Sequence, residues 1–293
     1  MLKVRNYFQP GTIEEALSAM AQRQAPRVLA GGTDLMLGLK NENDPLDLVD
    51  IGALHQLRTI REDETRVVIG SLVTFSRLQS SEIIIKHYRA LAEAAAAVGS
   101  PQIRNQGTIG GNVANASPAA DTIPPLVAMD AEVLVASVRG QRRLKVADLL
   151  KGINRTALAP DELILEVSFM KIPGQRSGFA KLGRRNALAI SRISMAVAIK
   201  VDEEKMIREA RVALGAVAPN PFRSALVEST LIGKSLTGGM TGDIFDAASR
   251  EVAAKLGSRA SAPYKREAVR GVMRQALERV FLAEEGAKAG REG

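Results

Sequence analysis

Three glycines fall within five residues at Gly107-Thr108-Ile109-Gly110-Gly111, and Asn112 follows at once. Each glycine removes the Cβ that would hold a backbone off its neighbours, so main chain can come into close contact with something else here. Small and polar residues continue through Val113-Ala114-Asn115-Ala116-Ser117-Pro118-Ala119-Ala120 to Asp121, just ahead of the apolar run Ile123 to Met129. The combination reads as a backbone cradle for an anionic group, most simply a pyrophosphate held by main-chain N–H groups. A lone glycine-rich turn is more often only a turn, and this spacing matches neither the Rossmann fingerprint nor the P-loop. A second glycine turn, Leu29-Ala30-Gly31-Gly32-Thr33-Asp34-Leu35, changes the balance. Two cradles can hold two parts of one large nucleotide.

A chain of 293 residues exceeds one ordinary domain, so two or three units are expected. Its apolar runs fall far short of a membrane span. The N-terminal stretch Met1 to Tyr7 lacks the apolar core of a secretory signal, so a cytoplasmic protein is expected. The absence of cysteine excludes disulfides, a cysteine nucleophile and any cysteine-held iron–sulfur cluster in this chain. Two histidines, His55 and His87, without ligand spacing argue against a zinc site; they read as ordinary surface or helix-end residues. A net charge of +8 invites nucleic acid, but aromatics are only 3% and no basic run is interleaved with stacking residues. The charge reads as a solvated surface complementary to acidic partners or an anionic substrate, with no nucleic acid.

Taken in order, Thr12-Ile13-Glu14-Glu15 is a capping box opening a helix that ends near Gln22. Arg27 to Ala30 is a strand into the first glycine turn, Asp34 is placed to cap the turn Leu35 to Leu39, and Leu46 to Ile51 is a second strand. Short strands at 57–61 and 66–70, helices at 74–79 and 88–98, and a helix at 122–129 surround the central cradle. A hairpin about Gly140, a turn at 146–150 and a strand at 162–169 close this region. From Ser177 the pattern changes to three antiparallel strands (179–182, 194–201, 207–214), then three helices (224–232, 243–256, 264–282) and a polar, frayed tail from Glu284.

The pair Ala30-Gly31-Gly32-Thr33-Asp34 and Thr108-Ile109-Gly110-Gly111-Asn112 resembles the FAD-binding medium subunits of the molybdenum hydroxylases, the family of xanthine, aldehyde and carbon monoxide dehydrogenases. The resemblance continues through Asn115 to Asp121 and Lys181-Leu182-Gly183-Arg184-Arg185-Asn186-Ala187, and covers essentially the whole chain. It implies an α+β fold: a two-lobed FAD-binding fold of the vanillyl-alcohol-oxidase/PCMH type, followed by a C-terminal α/β domain with a three-stranded antiparallel sheet and helices. The expected divisions are lobe 1 at 1–55, lobe 2 at 56–175, the C-terminal domain at 176–285 and a tail at 286–293.

The resemblance also implies site residues. Val28, Leu29, Ala30, Gly31, Gly32, Thr33, Asp34 and Leu35 would wrap the FAD pyrophosphate. Thr108, Ile109, Gly110, Gly111 and Asn112 would make the other phosphate and ribityl contact. Asp121 would meet the nucleotide half of FAD, although an N-cap for the following helix serves the residue equally well. Ile164 would touch the flavin by backbone or packing, or be a core strand residue. Lys181 would lie near the isoalloxazine or its ribityl chain and raise the flavin potential, or be a surface lysine. Arg184, Arg185 and Asn186 are open. No acid–base pair or nucleophile set is visible: Glu14-Glu15 begins a helix and Asp202-Glu203-Glu204 occupies a turn. Catalytic residues and metal ligands are therefore not expected, and the cofactor carries the chemistry.

The implied function is electron transfer inside a three-subunit complex. A large molybdopterin subunit handles the organic substrate, a small subunit relays electrons through two 2Fe–2S clusters, and this chain delivers them to an acceptor such as NAD. A dimer of such heterotrimers is expected. The alternative is a self-sufficient FAD-dependent oxidoreductase acting on its own small substrate.

Overall fold

The structure, a computed structural model, describes residues 4–39, 44–185, 188–235 and 241–289, with side chains in the last helix to Phe281. The first lobe runs β1 (Val4–Phe8), α1 (Ile13–Ala21), β2 (Arg27–Leu29), α2 (Leu35–Gly38) and β3 (Leu46–Asp50). Half of the capping box forms: Thr12 Oγ1 accepts the Glu15 N–H, while Glu15 reaches past the cap to the Gly11 N–H at 2.8 Å. The sequence reading missed β1, which pairs parallel with β3 on the edge of the sheet β1-β3-β2. Its side chains are mostly exposed, so it carries no apolar alternation to find.

The second lobe contains β4 (Ile60–Glu62), β5 (Arg66–Gly70), α3 (Phe75–Gln79), α4 (Glu82–Ala96), α5 (Pro101–Gln106), α6 (Ile109–Asn115) and α7 (Ile123–Ala128). It continues with β6 (Glu132–Ser137), β7 (Gly140–Lys145), α8 (Val146–Leu149), β8 (Leu150–Gly152), β9 (Arg155–Thr156) and β10 (Leu163–Met170). Its sheet has the order β4-β5-β10-β6-β7. A register shift between Ile164 and Glu166 in the central β10 changes which face its side chains take. Before it, Leu163 joins the first-lobe core with Ala16, Met20 and Val49; after it, Val167 and Phe169 join the second-lobe core. One strand thereby ties both lobes together.

The C-terminal domain begins with β11 (Gln175–Leu182), β12 (Ile193–Val201), β13 (Ile207–Gly215) and β14 (Phe222–Arg223), an antiparallel sheet of four strands where three were expected. The fourth is only two residues long and pairs Ala213 and Leu214. Then come α9 (Ala225–Leu231), α10 (Gly242–Leu256) and α11 (Ala262–Ala289). One face of the sheet packs Met195, Val197, Val212 and Leu214 against the helices; the other presents Phe179, Ala196, Ala198 and Ala213 to the core of the second lobe. Small residues on that second face let the sheet lie close to α4 and α7. The expected fraying from Glu284 is overturned: α11 continues to Ala289, and 290–293 lie outside the described residues.

Candidate cofactor-binding site

Both glycine turns face one cavity of about 550 Å³ between the lobes. Val28, Ala30, Gly31, Gly32, Thr33, Asp34 and Leu35 line one side; Gly107, Thr108, Gly110, Gly111 and Asn112 line another; Ile164 and its neighbours Glu162 and Leu163 close it. The volume suits a large organic ligand. Leu29, Ile109, Asp121 and Lys181 are not among the lining residues.

In the first turn β2 stops at Leu29, whose carbonyl accepts the Ile51 N–H at 2.9 Å. The chain reverses through Gly32 at φ +71°, a conformation that favours glycine. Among the described residues no protein acceptor takes the N–H groups of Gly31, Gly32, Thr33 and Asp34. Four uncommitted donors in a row on a cavity wall are what an anion requires. Asp34 does not cap α2 as expected; its side chain makes no capping hydrogen bond, and only its carbonyl accepts from Leu37 and Gly38.

The second turn is built otherwise. It is the first turn of α6, and the N–H groups of residues 109–112 are already spent within the protein. Ile109 donates to Val73 O, Gly110 to Ser71 O, Gly111 to the Thr108 hydroxyl and Asn112 to Thr108 O, at 2.9 to 3.1 Å. Uncommitted main-chain donors are thus concentrated at residues 31–34, while in the second turn only the Thr108 N–H has no protein acceptor among the described residues. What this turn offers a ligand is side chain and surface: the Asn112 amide, the Thr108 hydroxyl hydrogen, and the bare face of Gly111. Two motif glycines serve packing: a Cβ on Gly31 would lie 1.8 Å from Gln106 O, and one on Gly110 2.5 Å from Ser71 Cβ.

Asp121 is buried and meets Lys181 Nζ at 2.6 Å, while Ser191 donates to its other oxygen. Burial pushes its carboxyl above the usual range, against the opposing pull of Lys181 and Ser191. The alternative N-cap role is not realised, because Thr122 occupies the cap position of α7 and no side-chain cap forms. Lys181 also donates to Ala97 O at 2.6 Å and Ala189 O at 3.1 Å, so three acceptors surround its three N–H bonds. It borders a second, smaller cavity with Gly183, Arg185 and α11. It is a half-buried lysine paired with a buried carboxylate. Arg185 donates to Leu188 O, and Asn186 lies outside the described residues.

Sequence reasoning missed three residues. Ser71 lines the cavity and carries a buried Oγ with no protein partner among the described residues, an orphan that a ligand would satisfy. Phe75 lines the cavity beneath Gly107. Glu162 lines it while gripped by Arg142 through both oxygens at 2.8 and 2.7 Å, which holds its carboxyl below the usual range. None stands in a motif; only the fold brings them here. His55 and His87 do not line the cavity.

Uncommitted N–H groups, an orphan hydroxyl and Cβ-free walls fit an extended phosphate-bearing cofactor. Residues 2–171 match the FAD-binding domain of molybdopterin dehydrogenases, and residues 178–280 match the CO dehydrogenase flavoprotein C-terminal domain. The chain is 36% identical to the nicotinate dehydrogenase FAD-subunit of Eubacterium barkeri over 281 residues, covering 94% of this chain and 95% of that one. It is 31% identical to the xanthine dehydrogenase FAD-binding subunit of Escherichia coli O157:H7, covering 98% and 99%. Among solved structures it superimposes on a chain of carbon monoxide dehydrogenase from Hydrogenophaga pseudoflava with a TM-score of 0.85 and 28% identity, covering 96% and 99%. With both matched domains laid end to end along it and this cavity inside the first, the chain belongs to the FAD-binding medium subunits of the molybdenum hydroxylase family, flavoprotein subunits of oxidoreductases.

Proposed function

We propose that this chain holds FAD in the cavity between its lobes and passes electrons between the 2Fe–2S clusters of a small partner subunit and an external acceptor such as NAD. A large partner subunit with the molybdopterin cofactor would handle the organic substrate, in a dimer of heterotrimers located in the cytoplasm. The observation that carries this reading is the row of four N–H groups at Gly31 to Asp34, uncommitted among the described residues and facing the α6 turn across one cavity.

Bound there, FAD supplies the exchange between one-electron and two-electron transfer. The chain supplies the rest. The N–H groups of residues 31–34 would hold the pyrophosphate through fixed main-chain dipoles, with Arg27 also on the cavity wall. Val28, Ala30 and Leu35 flank this turn, and Leu29 fixes it to β3. Thr108, Gly110, Gly111 and Asn112 would contact the phosphate and ribityl part of the cofactor, with Ile109 anchoring their helix in the core. Ile164 packs at the wall. Asp121 and Lys181 pair with each other outside the cavity wall, and the resemblance would set Lys181 near the isoalloxazine or its ribityl chain. A cation there would favour the anionic reduced ring.

The test is the visible spectrum of the purified chain, with chromatographic identification of whatever denaturation releases. Stoichiometric FAD, followed by NAD reduction only when the small and large subunits are added back, is the expected result. A chain that stays colourless with added FAD would overturn the reading.

A further inference from the structure

Asn112 lines the cavity, but one of its two polar edges is turned away from it. The Thr122 hydroxyl donates to Asn112 Oδ1 at 2.6 Å. Thr122 is fully buried and is not part of the cavity wall. Among the described residues no protein acceptor takes the Asn112 Nδ2 hydrogens. The side chain thus spends its acceptor on the protein and keeps its donors for whatever fills the cavity.

The orientation is enforced by more than a single contact. A flipped Asn112 would donate Nδ2–H to Thr122 Oγ1 and turn its carbonyl oxygen toward the cavity. The buried Thr122 hydroxyl hydrogen would then have no acceptor among the described residues, and an unsatisfied buried donor is costly. Thr122 is itself held on both sides. Its carbonyl accepts the Leu126 N–H in α7, and the preceding residue, Asp121, is tied to Lys181 and Ser191 of the C-terminal domain. The threonine is therefore an anchored reference point and not a free rotor.

We propose that Thr122 is a positioning residue that locks the Asn112 amide with its NH₂ group toward the cavity, so that Asn112 acts as a donor to the cofactor and rejects it as an acceptor. The role rests on the reading that FAD occupies this cavity. Thr122 touches no cofactor; it acts only through Asn112.

The test is FAD titration of the full-length apo chain, followed by flavin fluorescence and calorimetry, in wild type, Thr122→Val, Thr122→Ser, Asn112→Ala and the Thr122→Val/Asn112→Ala double variant. Thr122→Val keeps shape and removes the hydroxyl, and is expected to weaken FAD about tenfold. Thr122→Ser should restore wild-type affinity. In the Asn112→Ala background, Thr122→Val should change affinity no further, a coupling that a purely structural threonine would not show. Should Thr122→Val fold poorly, Asn112→Asp provides the second arm. It preserves an acceptor for Thr122 and removes the donor, so it should melt near wild type and lose FAD as Asn112→Ala does. Equal affinities of wild type and Thr122→Val, or a Thr122→Val loss that persists in the Asn112→Ala background, would overturn the role of Thr122 alone. A wild-type chain that takes up no FAD would overturn the cofactor reading and this role with it.

Discussion

The Cβ that Gly31 lacks would lie 1.8 Å from the carbonyl oxygen of Gln106 and 3.1 Å from the Gly107 nitrogen. The two glycine turns that stand 75 residues apart in sequence therefore touch, backbone to backbone, on one rim of the cavity. Neither side can move aside, because Gln106 ends α5 and the Gly107 N–H is bonded to Ile103 O at 2.7 Å.

Gly31→Ala is accordingly expected to destabilise the apo chain, by about 1–3 kcal/mol or more from overpacking against rigid main chain. Thermal melting without added flavin measures this, and a melting temperature equal to wild type would refute the contact.

Gly111→Ala is expected to act differently. Its new Cβ meets only the Thr108 hydroxyl, at 2.9 Å, and that hydroxyl caps α6 by accepting the Gly111 N–H. Displacing it should cost about 0.5–2 kcal/mol, the value of an N-cap. Gly111→Val adds bulk on the cavity side and should abolish flavin retention, read as the flavin-to-protein absorbance ratio. Undiminished flavin in that variant would remove Gly111 from the site.

Lys181→Ala leaves the buried Asp121 carboxylate with Ser191 alone. A loss of about 3–5 kcal/mol is expected, as when one member of a buried ion pair is deleted. Asp121→Asn combined with Lys181→Met should recover much of it, because no charge is left buried. The flavin potential of Lys181→Met/Asp121→Asn, measured by redox titration, should fall relative to wild type; an unchanged potential would confine the pair to a structural role.

Glu162 supplies a pH dependence. Hydrogen bonds from Arg142 hold its folded-state pKa below the ordinary 4.5, with burial opposing them. The unfolded chain therefore binds the proton more readily, so the stabilisation is complete above about 4.5 and is lost as the pH falls through the lower folded value. Urea midpoints of wild type and Glu162→Gln should differ at neutral pH and converge in the acid range. A gap that persists undiminished to about pH 3 would contradict the ion pair as its source.

Local chemistry made much of this protein legible in advance. The N-cap at Thr12 and the hairpin about Gly140 depend on neighbours in sequence, and each is found where expected. β1 was not legible, because an exposed edge strand held by parallel pairing to β3 has no pattern of its own. Nor was Ser71 or Phe75 legible as a cavity residue, since neither stands in a motif and only the fold places them opposite the glycines.

The sequence by itself determined that two glycine turns exist, that one of them precedes Asn112 and Asp121, and that the chain belongs to a flavin-binding family. Tertiary structure decided what each of those residues does. Glycine licenses close approach without naming its object, and here Gly31 and Gly110 approach protein while the Gly31 to Asp34 N–H groups stay uncommitted among the described residues. Charge is equally silent about direction. Lys181 meets Asp121 across 60 residues because β11 of the C-terminal domain lies beside the turn before α7, an adjacency set by burying both faces of one sheet.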